Sequence, residues 1–183
     1  MLKRALVLLA GGFEEIEAVT PVDVLRRAGV EVVLAGLSGL VVTGAHGVVI
    51  RADTWLGDFT SELEMLILPG GMPGAQILGE SAPARALAEK LIEEDKYVTA
   101  ICAAPVMTLG TWGLLNGRTA TCYPGMESMF PETVTFSPDP VVIDGKFVTS
   151  RGPGTAFAFS LQLAALLMGR ETAEKVGREM LVL

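Results

Sequence analysis

Cys102 and Glu17 are the residues of this 183-residue chain whose types and positions point most directly to chemistry. Cys102 follows the run Val98-Thr99-Ala100-Ile101 and precedes Ala103-Ala104-Pro105. That order predicts a buried strand that stops at the cysteine and gives way to a helix. In an open α/β sheet, ligands bind beyond the carboxyl ends of the strands. A helix N-terminus placed there presents unpaired N–H groups and partial positive charge, which favour a thiolate and lower its pKa. The turn resembles a nucleophile elbow, and the two small residues after it let backbone and substrate approach closely. The bland reading is a structural thiol, because cysteine is among the most often buried residue types.

Two other segments bear on that choice. Pro69-Gly70-Gly71-Met72-Pro73-Gly74 follows the apolar run 65–68, a strand expected beside the Cys102 strand. Glycines there free backbone N–H groups to face a ligand, as an oxyanion hole requires. The alternative is an ordinary strand-to-helix turn. Gly11-Gly12-Phe13-Glu14-Glu15-Ile16-Glu17 follows the first apolar run and carries carboxylates to the same sheet edge. A glutamic acid in an apolar site has a raised pKa and can donate a hydrogen bond to a thiolate. Favourable charge at a helix N-terminus explains Glu14 or Glu15 well, and Glu17 less well.

The elements that must hold these residues follow from short apolar runs alternating with helical stretches. Strands are expected over 5–9, 30–37, 65–68 and 98–101. A small hairpin or edge strand is expected over 44–50, and a short strand over 119–122. Asp144-Gly145 between two β-branched runs predicts a hairpin. Helices are expected over 14–28, 82–94, 103–115, 154–168 and 172–180, with Gly29 ending the first. Pro21 is expected to kink that helix. Such alternation indicates one domain, a doubly wound and mostly parallel sheet with helices on both faces. The first helix keeps apolar residues on several sides, which fits burial against a partner subunit or within one chain.

Composition narrows the partners. Half of the residues are hydrophobic and 19% are charged, so a compact core is expected and disorder is not. The net charge is −7, and no basic face is evident for nucleic acid or an anionic membrane surface. Lys3-Arg4 and the apolar residues after them resemble a short signal core, but Gly11-Gly12 and Glu14 follow at once. A buried strand explains the run better, and a cytoplasmic protein is expected. Two cysteines, Cys102 and Cys122, make neither a disulfide framework nor a zinc spacing, so no metal is expected.

Five motifs then converge on one family. Gly12-Phe13-Glu14-Glu15-Ile16-Glu17-Ala18-Val19, Pro21-Val22-Asp23-Val24-Leu25-Arg26-Arg27-Ala28-Gly29, Leu68-Pro69-Gly70-Gly71, Ala100-Ile101-Cys102-Ala103-Ala104-Pro105 and Thr149-Ser150-Arg151-Gly152-Pro153-Gly154-Thr155 occur in order over nearly the whole chain. Together they resemble the ThiJ/PfpI superfamily, most of all the branch of the parkinsonism-associated deglycase and its bacterial relatives. The resemblance implies a flavodoxin-like sandwich of the class I glutamine-amidotransferase type and a homodimer packed partly through the first helix. It implies Cys102 as nucleophile and Glu17 as its protonated hydrogen-bonding partner. Gly71 and Ala103 would supply oxyanion-hole N–H groups, and Arg27 and Pro153 would lie near the pocket. No cofactor is implied. The activities attached to the branch are glutathione-independent conversion of glyoxal or methylglyoxal to hydroxy acids, repair of early glycation adducts, redox sensing and chaperone action.

One position departs from the family pattern. Members often carry a histidine before a proline near the cysteine, where this chain has Tyr123-Pro124. A tyrosine, with an ordinary pKa of roughly 10, is a poor base near neutral pH but can donate a hydrogen bond. The change counts against a cysteine peptidase, which needs a histidine to protonate an amine leaving group. His46, the single histidine, stands where relatives often place an arginine reaching toward the partner's pocket. It is expected either to supply an imidazole across a dimer or to be a solvated hairpin residue. Cys122 either resolves an oxidised Cys102 or is a second buried thiol. Three functions remain: an enzyme on small aldehydes or glycated substrates, a redox-sensing chaperone, and an intracellular peptidase.

Overall fold

A computed structural model describes residues 3–183. The chain begins with β1 (Arg4–Leu9), α1 (Glu15–Arg27) and β2 (Glu31–Gly36). A hairpin of β3 (Val41–Thr43) and β4 (Val49–Arg51) and the short β5 (Thr54–Trp55) follow. Next come β6 (Met65–Leu68), α2 (Gly74–Gly79), α3 (Ala82–Glu93) and β7 (Tyr97–Ile101). The chain continues through β8 (Thr119–Ala120), β9 (Thr135–Phe136), β10 (Val141–Asp144) and β11 (Phe147–Ser150), and closes with α4 (Ala156–Met168) and α5 (Arg170–Glu179).

The central sheet has the strand order β10-β11-β7-β6-β1-β2-β5. All neighbours run parallel except β10 against β11. The inner strands are continuous apolar runs because both of their faces are covered. Every residue of β6, and β1 from Ala5 to Leu9, is buried. The turn between β10 and β11 uses Gly145 at φ +61°, a conformation that side chains with a Cβ resist.

The topology fixes where a ligand can sit. From β1 the chain crosses through α1 to β2 on one side, and from β6 it crosses through α3 to β7 on the other. Right-handed crossovers therefore put α1 and α3 on opposite faces. The strand order reverses between β1 and β6, and the crevice outside their carboxyl ends is the switch point. The three segments that end there are 10–17, 69–74 and 102–105. Among the described residues no helix is long and apolar enough to cross a membrane.

Two expectations need correction. Residues 103–115 do not form a regular helix, since π-helical turns over Pro105–Gly110 give way to irregular turns. There Thr108 Oγ1 and Trp112 Nε1 donate to the carbonyls of Ala75 and Gly79, at 2.8 and 2.9 Å. Those bonds and the close approach of Gly79 to the Met107 carbonyl tie the segment to α2. The strand expected over 119–122 is confined to β8, which pairs with β9 outside the central sheet. α1 continues through Pro21. The short elements β5, α2 and β9 gave no periodic signal.

Candidate active site

Glu17 is fully buried in the first turn of α1, at 0% exposure. Glu14 caps that turn, its Oε2 accepting from the Glu17 N–H at 2.8 Å. Glu17 Oε2 accepts from the Gly70 N–H at 2.9 Å. Its other oxygen, Oε1, is buried without a hydrogen-bond partner among the described residues. Burial, aided by the charge of Glu14, lifts the carboxyl from 4.5 to about 7, against the Cys102 thiol and the Gly70 N–H, which favour ionisation.

Cys102 follows β7 directly, at φ +66°, a left-handed conformation that costs a non-glycine residue energy and recurs at functional turns. Its backbone N–H donates to Ser150 O at 3.0 Å, and its carbonyl accepts from the Tyr123 N–H at 2.9 Å. Neighbours on two sides thus hold the strained turn. The cysteine is buried, at 8% exposure. Burial and then the charge of Glu17 push the thiol up to about 12. The N–H groups of Gly71 and Ala103 act the other way and favour the thiolate. Neither of them donates to a protein oxygen among the described residues. The expected lowering by a helix N-terminus is therefore corrected. No regular helix starts at Cys102, and the carboxyl beside the sulfur outweighs the free N–H groups.

Gly70 shows how tightly the pair is held. A Cβ there would lie 2.6 Å from Cys102 Cβ and 2.7 Å from Glu17 Oε2. Gly71, at φ +84°, has backbone of Gly12, Phe13 and Glu14 where a Cβ would go. Both glycines are forced by close approach, and the expectation had fixed only on Gly71. The Leu68-Pro69-Gly70-Gly71 motif held the signal for both.

An open groove of about 300 Å³ is lined by Tyr123, Pro124, Arg151, Gly152, Pro153, Gly154 and Thr155, and it adjoins the pair through Tyr123 and Gly152 rather than being lined by Cys102 or Glu17. A Cβ on Gly152 would lie 3.3 Å from the Tyr123 ring and 4.0 Å from Glu17 Oε1. The structure thus brings Tyr123 and Pro153 to the site and adds Gly152, which sequence reasoning missed. Cys122 is fully buried, and its thiol is also pushed up to about 12, chiefly by burial. It is free, as is Cys102.

Two expected pocket residues lie elsewhere within the chain. Arg27 ends α1 and pairs with Asp23 at 3.0 Å. Ten helical residues from Glu17 put it about 15 Å along the axis. His46 sits on the β3–β4 turn and pairs through Nδ1 with Glu15 Oε2 at 2.9 Å. That pairing raises the imidazole and helps hold the Glu15 carboxyl below its ordinary value, against burial. Glu14, Glu15 and His46 place one potential metal-ligand atom each within 4.8 Å of one another.

The family model of the DJ-1/PfpI family matches residues 3–166. Protein DJ-1 homolog B of Arabidopsis thaliana is 43% identical over 176 residues, which is 95% of this chain and 40% of that protein. The chain thus spans less than half of that plant relative. A protein of Pyrococcus abyssi named as a deglycase is 35% identical over 167 residues, covering 90% of this chain and 99% of that one. The crystal structure of Drosophila melanogaster DJ-1beta superposes with a TM-score of 0.96 at 39% identity, covering all of both chains. The chain belongs to the DJ-1/PfpI family.

Proposed function

We propose that this protein is a cysteine enzyme for small reactive carbonyls, converting methylglyoxal to lactate without glutathione, and that it serves in carbonyl-stress defence in the cytoplasm. The observation that carries the reading is the Cys102–Glu17 pair. A thiol on a strained turn at a strand end lies beside a buried carboxyl whose pKa is near neutrality. At rest the thiol holds its proton and the carboxyl titrates near neutrality. Transfer of the thiol proton to Glu17 moves the charge to sulfur, where the Gly71 and Ala103 N–H groups favour it.

The sulfur attacks the aldehyde carbon, and the carbonyl oxygen takes a proton to give a hemithioacetal. Glu17 then removes the proton from that carbon and returns one to the neighbouring carbon through an enediol, leaving a thioester. Water cleaves the thioester, releasing lactate and the thiol. One methylglyoxal and one water give one lactate, so no oxidant or cofactor enters. Gly71 and Ala103 N–H groups stabilise the oxyanions at both stages. Tyr123, beside the groove, is a hydrogen-bond donor to the substrate's second oxygen. The Pyrococcus abyssi relative named as a deglycase supports chemistry on carbonyl adducts.

The same pair favours a second reading, a redox-sensing chaperone in which an oxidised Cys102 accepts a hydrogen bond from protonated Glu17. A peptidase has less support, because no histidine faces Cys102 within the chain. The exposed Ile16 and Val19 on α1 and Val48 and Val49 on the adjoining hairpin support a homodimer through α1.

Lactate production from methylglyoxal without glutathione tests the enzyme reading. Wild-type protein with reduced Cys102 is expected to turn over, and Cys102→Ser is expected to lose activity by at least a hundredfold. No turnover by reduced wild type shifts the assignment to the redox sensor.

A further inference from the structure

We propose that Glu14, Glu15 and His46 form a binding site for a divalent transition-metal ion, best suited to Zn2+, at the start of α1. The three residues place one potential ligand atom each within 4.8 Å of one another. Bonds of about 2.0–2.1 Å in a tetrahedral sphere set ligand atoms about 3.3 Å apart, within reach of side-chain rotation alone. Glu15 and His46 are 31 residues apart, so no motif announces the site. The β3–β4 hairpin brings them together, and Gly44 permits it, since a Cβ there would collide with the Glu15 carboxylate.

The charges around this cluster are incomplete. Glu14 is 8% exposed, and the Glu15 side chain is 11% exposed. Two neighbouring carboxylates so shielded from water call for a cation. Among the described residues neither pairs with a lysine or arginine, and the His46 ring is the one ion-pair partner. It carries charge only when protonated. A metal ion bound in place of that proton would compensate both carboxylates.

Each carboxylate is also partly fixed in advance. Glu14 Oε2 accepts from the Glu17 N–H, and among the described residues no group donates to its Oε1. Glu15 Oε1 accepts from the His46 and Val48 N–H groups at 2.7 and 3.3 Å, leaving Oε2 toward the imidazole. Backbone support of this kind orients ligands and strengthens metal binding. Two carboxylate oxygens and one imidazole nitrogen suit Zn2+ or a similar transition ion, whereas Ca2+ takes six to eight oxygens. The His46 side chain is 74% exposed within one protomer, so water or a group of the second copy across the proposed α1 interface can complete the coordination sphere. Cys102 takes no part, and the site stands whether or not the carbonyl chemistry does.

Calorimetric titration of ZnCl2 into full-length Cys102→Ser at pH 7.5 tests the site without the reactive thiol as a competing ligand. One Zn2+ per chain is expected. Adding His46→Ala is expected to weaken binding at least tenfold, and Glu15→Gln likewise. Co2+ in place of Zn2+ should give visible absorption bands that His46→Ala removes. His46 is exposed, so its replacement leaves the fold intact. Absence of stoichiometric binding overturns the proposal, as does equal affinity with and without His46.

Discussion

The proton between Cys102 and Glu17 has two kinds of atom to choose from, a sulfur and a carboxyl oxygen. Among the described residues no group donates to Glu17 Oε1, and two backbone N–H groups favour the thiolate, though less strongly than burial and the Glu17 charge disfavour it. The proposed chemistry uses the proton on Glu17, against the burial and carboxylate charge that push the resting thiol up to about 12. Alkylation of Cys102 by iodoacetamide, followed across pH, reads the arrangement directly. Glu17→Gln keeps an N–H donor beside the sulfur and is expected to move the reactivity midpoint by less than about one unit. Glu17→Ala removes the donor and is expected to move it to higher pH by about one unit or more. A downward shift in both variants would count against proton transfer to Glu17.

At the scale of elements, α1 does two tasks on opposite faces. Its inner face buries Ala18, Val22 and Leu25 and carries Glu17 to the switch point. Its outer face leaves Ile16 and Val19 exposed beside Val48 and Val49 of the hairpin. Covering this patch with a second copy removes apolar area from water at about 25 cal/mol per Å². The double variant Ile16→Lys, Val19→Lys is expected to be monomeric by light scattering under conditions where wild type is dimeric. A wild-type monomer at micromolar concentration counts against the α1 interface.

The whole molecule carries the cost of burying Glu17. Its pKa in the folded protein, about 7, lies above the ordinary value of 4.5 that it has when unfolded. Between those values the folded state holds a proton that the unfolded state has released. Stability from this group is therefore complete below about pH 4.5 and is lost as pH rises to about 7. The loss is about 3 kcal/mol. Urea unfolding of wild type and Glu17→Gln from pH 4.5 to 8 isolates it. The wild type is expected to lose stability relative to the variant over that range, and parallel curves would contradict a buried, protonated Glu17.

The sequence alone determined the elements whose signals are local. The apolar runs of β1, β6 and β7 exceed what a surface strand tolerates, and Asp144-Gly145 dictates its hairpin through backbone conformation. Strand, turn and small residues in order made Cys102 a candidate, and the resemblance to the family singled out Glu17 among the carboxylates that follow β1. Tertiary structure decided what depends on distance between remote segments. It set Gly70 against both Glu17 and Cys102, reversed the expected direction of the thiol's pKa, replaced the helix after Cys102 with π turns tied to α2, and seated His46 on Glu15. Electrostatics and close packing act through space, and a chain's order lists neighbours only along itself.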